Sequence, residues 1–481
     1  MKIGAPAASA KPDTDQRDDG DLGRELWKYP IDEALGKSLL FYEAQRSGTL
    51  PADNRIGWRG DSATGDAPYD GGWYDAGDHV KFHLPLTYAA GRLAMSAWVA
   101  RGALSSTTFQ GKTNLHWTLR EVRWISEYII RCHPDANTFV AQVGDGNLDH
   151  AYLGRAEFMK MARPTVLITE DAPGADIVAS ASGALAQAAL AFEGTDDAFA
   201  AVCLQNARSL YDFAVRTSES PPFAESAPFY VSTGIHHQLF FASASLFAAT
   251  GDDSMADAAL KWAMAEDRGS HAFYSTWIGW DNAWYEAAAI MLGEGRDTPA
   301  GDLATYLRAV VDAWVSGDGI KASPAGQAWL SEWGSNRYAA NAAAVALLAA
   351  RHFPDEADEY RCFAVSQLHY VWGDAGRSMV VGFGQNPPTH AHHRNAACSL
   401  ADGRAGVCDK LWVSSRPNTN VVYGALVGGP TAPDDRYVDA RADYQMTEVA
   451  VDYNAMYTLA SALSADLGAS FWQARVKTCG R

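Results

Sequence analysis

The chain has 481 residues, 48% of them apolar and 20% charged, with a formal net charge of −18. This composition rules out a disordered polypeptide and leaves enough apolar surface for a large core. The acidic balance argues against nucleic acid and membrane partners, which need a basic face, and no apolar run reaches bilayer length; the Ala-rich stretch 339–350 is short and contains Asn341.

Residues 1–23 read as a solvated acidic arm, with Asp13, Asp15, Asp18, Asp19 and Asp21 beside Gly20 and Gly23. The glycine and the last acid are misplaced for an EF-hand, and no signal-peptide apolar region is visible. Residues 24–475 read as one domain without a Ser/Thr/Pro-rich linker, and 476–481 as a tail. Apolar periodicity predicts helices over 31–46, 87–102, 116–132, 176–193, 201–215, 235–250, 254–266, 282–292, 302–315, 337–351, 357–371 and 446–466. Strand signals are few and short, such as 379–383. A dozen helices without βα alternation predict an all-α fold whose long Gly-, Pro- and aromatic-rich loops carry function.

None of the six cysteines, Cys132, Cys203, Cys362, Cys398, Cys408 and Cys479, has CxxC spacing, which argues against a zinc ribbon. Cys398 and Cys408 are close enough in sequence to bridge; for the other four, free buried thiols are an equal expectation. Sixteen Trp, twenty Tyr and eighteen Phe supply faces for packing or for stacking on flat apolar ligands such as the C–H face of a pyranose.

Three loops carry candidate chemistry. In Gly71-Gly72-Trp73-Tyr74-Asp75-Ala76-Gly77-Asp78, two carboxylates lie three apart on a glycine-rich backbone. Such a pair can share a proton or hold a water; a cation-binding or turn-capping loop is the alternative. In 380–394, His390, His392 and His393 fall within four positions. No carboxylate or cysteine stands beside them at ligand spacing and Arg394 would repel a cation, so a hydrogen-bonding platform is favoured over a metal site. In 437–454, Glu448 is expected in the first turn of a helix beside Tyr and Met. Partial desolvation there would raise its pKa, as a general acid requires; a Glu merely favoured by the helix dipole is the alternative.

These residues resemble glycoside hydrolase family 9, the cellulase family of endo-β-1,4-glucanases. The stretches DAGDHVKF at 75–82, NPPxxxHHR at 386–394 and the run from Tyr444 through Glu448 to Asn454 and Ala455 occur in family order, preceded by the opening helix at 37–48. The resemblance spans about Tyr29 to Leu467. It implies an (α/α)6 barrel with an open cleft across one end. It also implies hydrolysis of internal β-1,4-glucosidic bonds in cellulose or related glucans with inversion, Asp78 as general base, Asp75 as its partner and Glu448 as general acid. An inverting pair needs about 6.5–9.5 Å between carboxyl groups. It further implies sugar contacts or their supports at His150, Trp280, Trp333, Arg337, His392, Arg394, Asp439, Tyr444 and Tyr453, with core packing the alternative for the two tryptophans. No cofactor is expected. The implied partner is a β-1,4-glucan, acted on by a secreted monomer. The alternatives are the same chemistry on xyloglucan, mixed-linkage glucan or a glucosamine-containing glycan, or a non-catalytic glycan-binding protein.

Three departures from the family pattern carry expectations of their own. After His150 the usual Trp pair is replaced by Ala151-Tyr152-Leu153, which predicts an altered stacking subsite. Many members bind calcium through acids after a Ser-Gly turn; here Ser232-Thr233-Gly234 is followed by His237 and Gln238, and Asn282 stands in for an Asp, so no calcium is expected there. With no cellulose-binding module beside the domain, soluble or amorphous glucan is the expected substrate.

Overall fold

Eleven of the eighteen residues in the helix Ala175–Phe192 are Ala, Ser or Gly, and all eighteen are buried. Small side chains let helices approach closely on every side: a Cβ on Gly183 would overlap the Phe241 ring at 2.5 Å. By length and composition this helix is apolar enough to cross a membrane, unlike anything expected from the sequence, yet it lies wholly inside the protein. By contrast, Asn114–Arg131 buries one stripe only, including Trp117, Val122, Ile125 and Ile129.

The two kinds alternate along the chain. The computed structural model describes residues 28–224, 228–265, 276–468 and 471–472. Among these, the long helices are α1 (Ile31–Gln45), α2 (His83–Val99), α3 (Asn114–Arg131), α4 (Ala175–Phe192), α5 (Asp197–Arg216), α6 (His236–Thr250), α7 (Asp253–Ala265), α8 (Trp284–Gly293), α9 (Asp302–Ser316), α10 (Ser335–Ala349), α11 (Ala357–His369) and α12 (Val451–Ser464). The even-numbered helices touch in a closed ring, α2–α4–α6–α8–α10–α12 and back to α2, and the odd-numbered helices pack outside it. This is the (α/α)6 barrel expected from the sequence.

The alternation fixes where the loops fall. Each link from an inner to an outer helix emerges at one end, and several are short: 193–196, 251–252, 294–301 and 350–356. Each link from an outer to an inner helix emerges at the other end. There the chain runs through 46–82, 132–174, 317–334 and 370–450. A small antiparallel sheet at this end joins β1 (Lys81–Phe82), β2 (Phe139–Val143) and β3 (Thr165–Ile168), with Lys81 opposite Val143 and Val143 opposite Thr165.

The structure corrects several sequence expectations. Residues 379–383 form no strand; Val380 makes a single bridge to Leu426, and the left-handed turns at Gly382 and Gly384 break the extension. The helix expected over 446–466 begins at Val451, after a separate turn at Tyr444–Thr447. Cys398 and Cys408 form the disulfide their spacing allows; of the cysteines left open between bridge and free thiol, Cys132 and Cys203 are buried free thiols and Cys362 is disulfide-bonded. Cys479, the arm 1–23 and the tail 476–481 lie outside the described residues.

Candidate active site

Three loops from distant parts of the chain meet at the long-loop end. The Arg394 N–H donates to the Gly77 carbonyl at 3.0 Å, His392 N–H to Thr447 at 2.8 Å, and Val451 N–H to Asp75 at 2.8 Å. His392 and Glu448 pair as neighbouring extended residues. The approach is close enough to demand glycine at position 77, where a Cβ would sit 1.9 Å from the His392 carbonyl oxygen. Asp75, Asp78 and Glu448 are thereby gathered into one place.

Asp75 and Asp78 are both buried, at 4% and 8% exposure, but their surroundings differ. Tyr230 donates its hydroxyl to Asp75 Oδ2 at 2.6 Å, while Asp75 Oδ1 has no protein partner. Burial, with the adjacent Asp78 charge, pushes the Asp75 pKa well above the carboxylate range. Burial pushes Asp78 the same way. His150 Nε2 at 3.0 Å, the Arg394 charge and the Ala76 N–H outweigh it and hold Asp78 below its ordinary value. The two neighbouring carboxyls are therefore biased in opposite directions, Asp75 toward the neutral form and Asp78 toward the anion.

Glu448 lies outside any helix, contrary to expectation, in the extended link between the turn Tyr444–Thr447 and α12. The helix dipole therefore does not account for it. Its Oε2 accepts from Trp333 Nε1 at 2.7 Å and from the Tyr453 hydroxyl at 2.8 Å. Burial raises its pKa; these two donors oppose the rise, and the charges of Asp452 and Asp78 add to it. One carboxyl is thus biased toward the neutral form and another toward the anion, in a single site.

The other expected residues surround this centre. The His150 ring stands edge-on to Phe229 at 4.7 Å. Trp280 packs against Tyr230 at 5.1 Å, and Trp333, 42% exposed, against Tyr444 at 5.2 Å. Arg394 donates to Asp149 at 2.5 Å. Arg337 is held by Asp452 at 2.8 Å and lies over the Tyr453 ring, so in this structure it braces the residue that contacts Glu448. Asp439 accepts the N–H groups of Thr389 and His390 at 2.8 and 3.1 Å and shapes the histidine loop. The three histidines of that loop are engaged separately. His390 contacts Ser415, His392 Nδ1 donates to the Arg441 carbonyl at 2.7 Å, and His393 pairs with Gln45 at 2.8 Å. Burial lowers the His392 pKa to about 4, leaving a neutral ring.

Sequence reasoning missed Tyr230 and Asp149. Asp149 receives the His79 N–H at 3.1 Å as well as Arg394, and so ties the base loop to the histidine loop. Tyr230 sits in an aromatic-rich link between two helices, a signal visible in Pro228-Phe229-Tyr230 but with no partner nearby in sequence. At the departure after His150, Tyr152 turns its hydroxyl onto the Arg155 carbonyl at 2.8 Å.

The residues at the calcium position of the family do not suit that ion. Asp281 is the acid at that turn among the residues named, and it accepts from Thr233 N and Oγ1 at 2.7 and 2.8 Å. Gln238 and Asn282 present amide N–H groups to the carbonyls of Trp280 and Trp277, and buried His237 has its pKa lowered to about 3. A hard cation needs several anionic or carbonyl oxygens.

The chain resembles known proteins over most of its length. The model of glycosyl hydrolase family 9 matches residues 32–461. Endoglucanase A of Bacillus pumilus is 39% identical over 92% of this chain, which spans 67% of that relative. Endoglucanase B of Cellulomonas fimi is 40% identical over 90% of the chain, which spans only 42% of it. The structure of an endoglucanase from the termite Nasutitermes takasagoensis superposes with a TM-score of 0.82 at 36% identity, covering 91% of this chain and 99% of that one. Endoglucanase CelQ of Clostridium thermocellum, complexed with cellobiose and cellotriose, superposes with a TM-score of 0.80 at 32% identity, covering 91% and 71%.

Proposed function

The chain belongs to glycosyl hydrolase family 9, and we propose that it cleaves internal β-1,4-glucosidic bonds with inversion, using Asp78 as base and Glu448 as acid. The observation that carries this assignment is the different setting of the two carboxyls: Asp78 sits against His150 and the Ala76 N–H, which favour its anion, while Glu448 is buried between Trp333 and Tyr453, where burial favours its neutral form. Glu448 gives its proton to the leaving glycosidic oxygen. Asp78 takes a proton from a water that attacks the anomeric carbon from the opposite face, so the β bond yields an α product. Asp75, fixed by Tyr230, offers its remaining oxygen to the same water. The Trp333 and Tyr453 donors stabilise the Glu448 carboxylate that forms as the proton leaves.

The substrate follows from two aromatic rings, Trp333 exposed and Trp280 half-buried. Trp333 and Trp280 offer flat apolar faces of the kind a glucopyranose presents, with His150, His392, Arg394 and Tyr453 as hydroxyl partners. A β-1,4-glucan is the substrate this reading favours, and a polymer of that size favours an extracellular site of action. Hydrolysis of carboxymethyl cellulose, followed by viscosity loss and reducing-end release, tests the reading. Rapid viscosity loss abolished by Glu448→Gln is expected; unchanged turnover in that variant would refute the acid assignment.

A further inference from the structure

The lobe 398–418 has no part in the chemistry above, yet it is fastened with unusual care. Cys398 and Cys408 close its base by a disulfide, and Ser399 caps its first helical turn, Leu400–Arg404. Its far side is held by one buried guanidinium, Arg441, at 2% exposure. Arg441 donates Nε to Asn418 Oδ1 at 2.7 Å, Nη1 to the carbonyls of Leu411 and Trp412 at 2.8 and 2.9 Å, and Nη2 to the Arg416 carbonyl at 2.9 Å. Its own carbonyl accepts from His392. Burying a cation mainly among neutral carbonyls is costly, and a lobe needed only for packing does not require it.

The fastening fixes one side chain in particular. The half-buried Trp412 ring stands 4.8 Å from the His392 ring at 76°. His392 is 6.2 Å from Tyr444, Tyr444 is 5.2 Å from Trp333, and Trp333 bonds Glu448. The rings form one row that starts at the acid and ends at Trp412. A rigid indole with two torsions loses little entropy on meeting a sugar face, so a clamped tryptophan suits that role better than a mobile one.

We propose that Trp412 is a further glucan-contacting residue that extends the cleft by one ring, and that Arg441 and the Cys398–Cys408 bridge are its positioning device. The proposal rests on the glucanase reading above and adds a chain-length preference to it. The test compares Trp412→Leu, which keeps apolar bulk without a flat ring, with Trp412→Phe, which keeps a ring. Each is measured for kcat and KM on cellotetraose, cellopentaose, cellohexaose and carboxymethyl cellulose. In Trp412→Leu, KM should rise about five- to tenfold on the longest substrates with kcat within about twofold, while cellotetraose is nearly unaffected. Trp412→Phe should recover most of the loss. Replacing both cysteines by serine should move KM the same way by a smaller factor. An equal loss at every chain length, or none, would overturn the proposal and leave Trp412 as packing over His392. Failure of the unaltered enzyme to cleave any of these glucans would instead count against the glucanase reading. In that event, calorimetric binding of cellohexaose still decides the role of Trp412: equal affinity in the unaltered protein and Trp412→Leu, or binding in neither, would overturn it.

Discussion

At one end of the barrel the chain turns from inner to outer helix in links such as 193–196 and 251–252; at the other it wanders through 46–82, 132–174 and 370–450 before the next inner helix begins. The first end satisfies its own backbone locally. Gly251 closes α6 in the left-handed conformation, and the Asp297 carboxylate accepts the N–H groups of Leu303 and Ala304 at the start of α9. The second end holds Asp75, Asp78, His150, Trp333, His392 and Glu448, joined by bonds between residues hundreds of positions apart. The difference teaches that stability and the proposed chemistry are largely divided: the helices make a wall, and the candidate site gathers on its long-loop rim, with Tyr453 and Arg337 supplied by the first turns of α12 and α10.

Substitutions that act at one end alone sharpen that division. The largest effect is expected from Glu448→Gln, which should lower kcat by about 10²–10⁴ or more while thermal unfolding hardly moves. An accompanying collapse of stability would break the division. Next, Arg92 and Glu286 join α2 to α8 inside the wall at 3.0 Å, both fully buried. Glu286→Ala strands the guanidinium and should cost about 3–5 kcal/mol in denaturant unfolding, with kcat per folded molecule preserved. At the long-loop rim, Tyr230→Phe removes one donor to Asp75 and should reduce kcat about tenfold or somewhat more, with Tm little changed.

A smaller effect concerns pH. In the proposed roles the base works only when deprotonated and the acid only when protonated, so activity should be lost below the Asp78 pKa and above the Glu448 pKa. Asp78 lies below its ordinary 3.8 and Glu448 above its ordinary 4.5, which opens a window between them. Tyr453→Phe deletes a donor that holds Glu448 down, so the alkaline limb of kcat/KM should move to higher pH. Movement to lower pH would contradict the assigned roles. The smallest effect is expected at the short-loop end, where Asp297→Ala should cost about 1 kcal/mol of stability and leave kinetics unaltered.

The same division governs what could be read without coordinates. Helix positions were legible because core-facing periodicity is a local property: 116–132 was expected and Asn114–Arg131 is found, and 357–371 corresponds to Ala357–His369. Where local pattern and backbone chemistry conflict, reading failed. Asp443 caps the short turn Tyr444–Thr447 and Ala450 is extended, so the apparent helix 446–466 divides and leaves Glu448 between its parts. The paired aspartates and the H-x-R motif were visible as motifs. Tyr230 and Asp149 were not, because each acts on a partner in another loop, and only closure of the helix ring brings those loops together; Arg441 was not, because its partners, though in the same long link, lie 23 to 49 positions away.

The account stands on a water being activated between Asp78 and the face of the sugar opposite Glu448. Proton NMR of the first product released from a β-1,4-glucan observes this directly, before mutarotation scrambles it. An initial α anomer is the predicted result; an initial β anomer would mean that the carboxylates do not divide the work in this way.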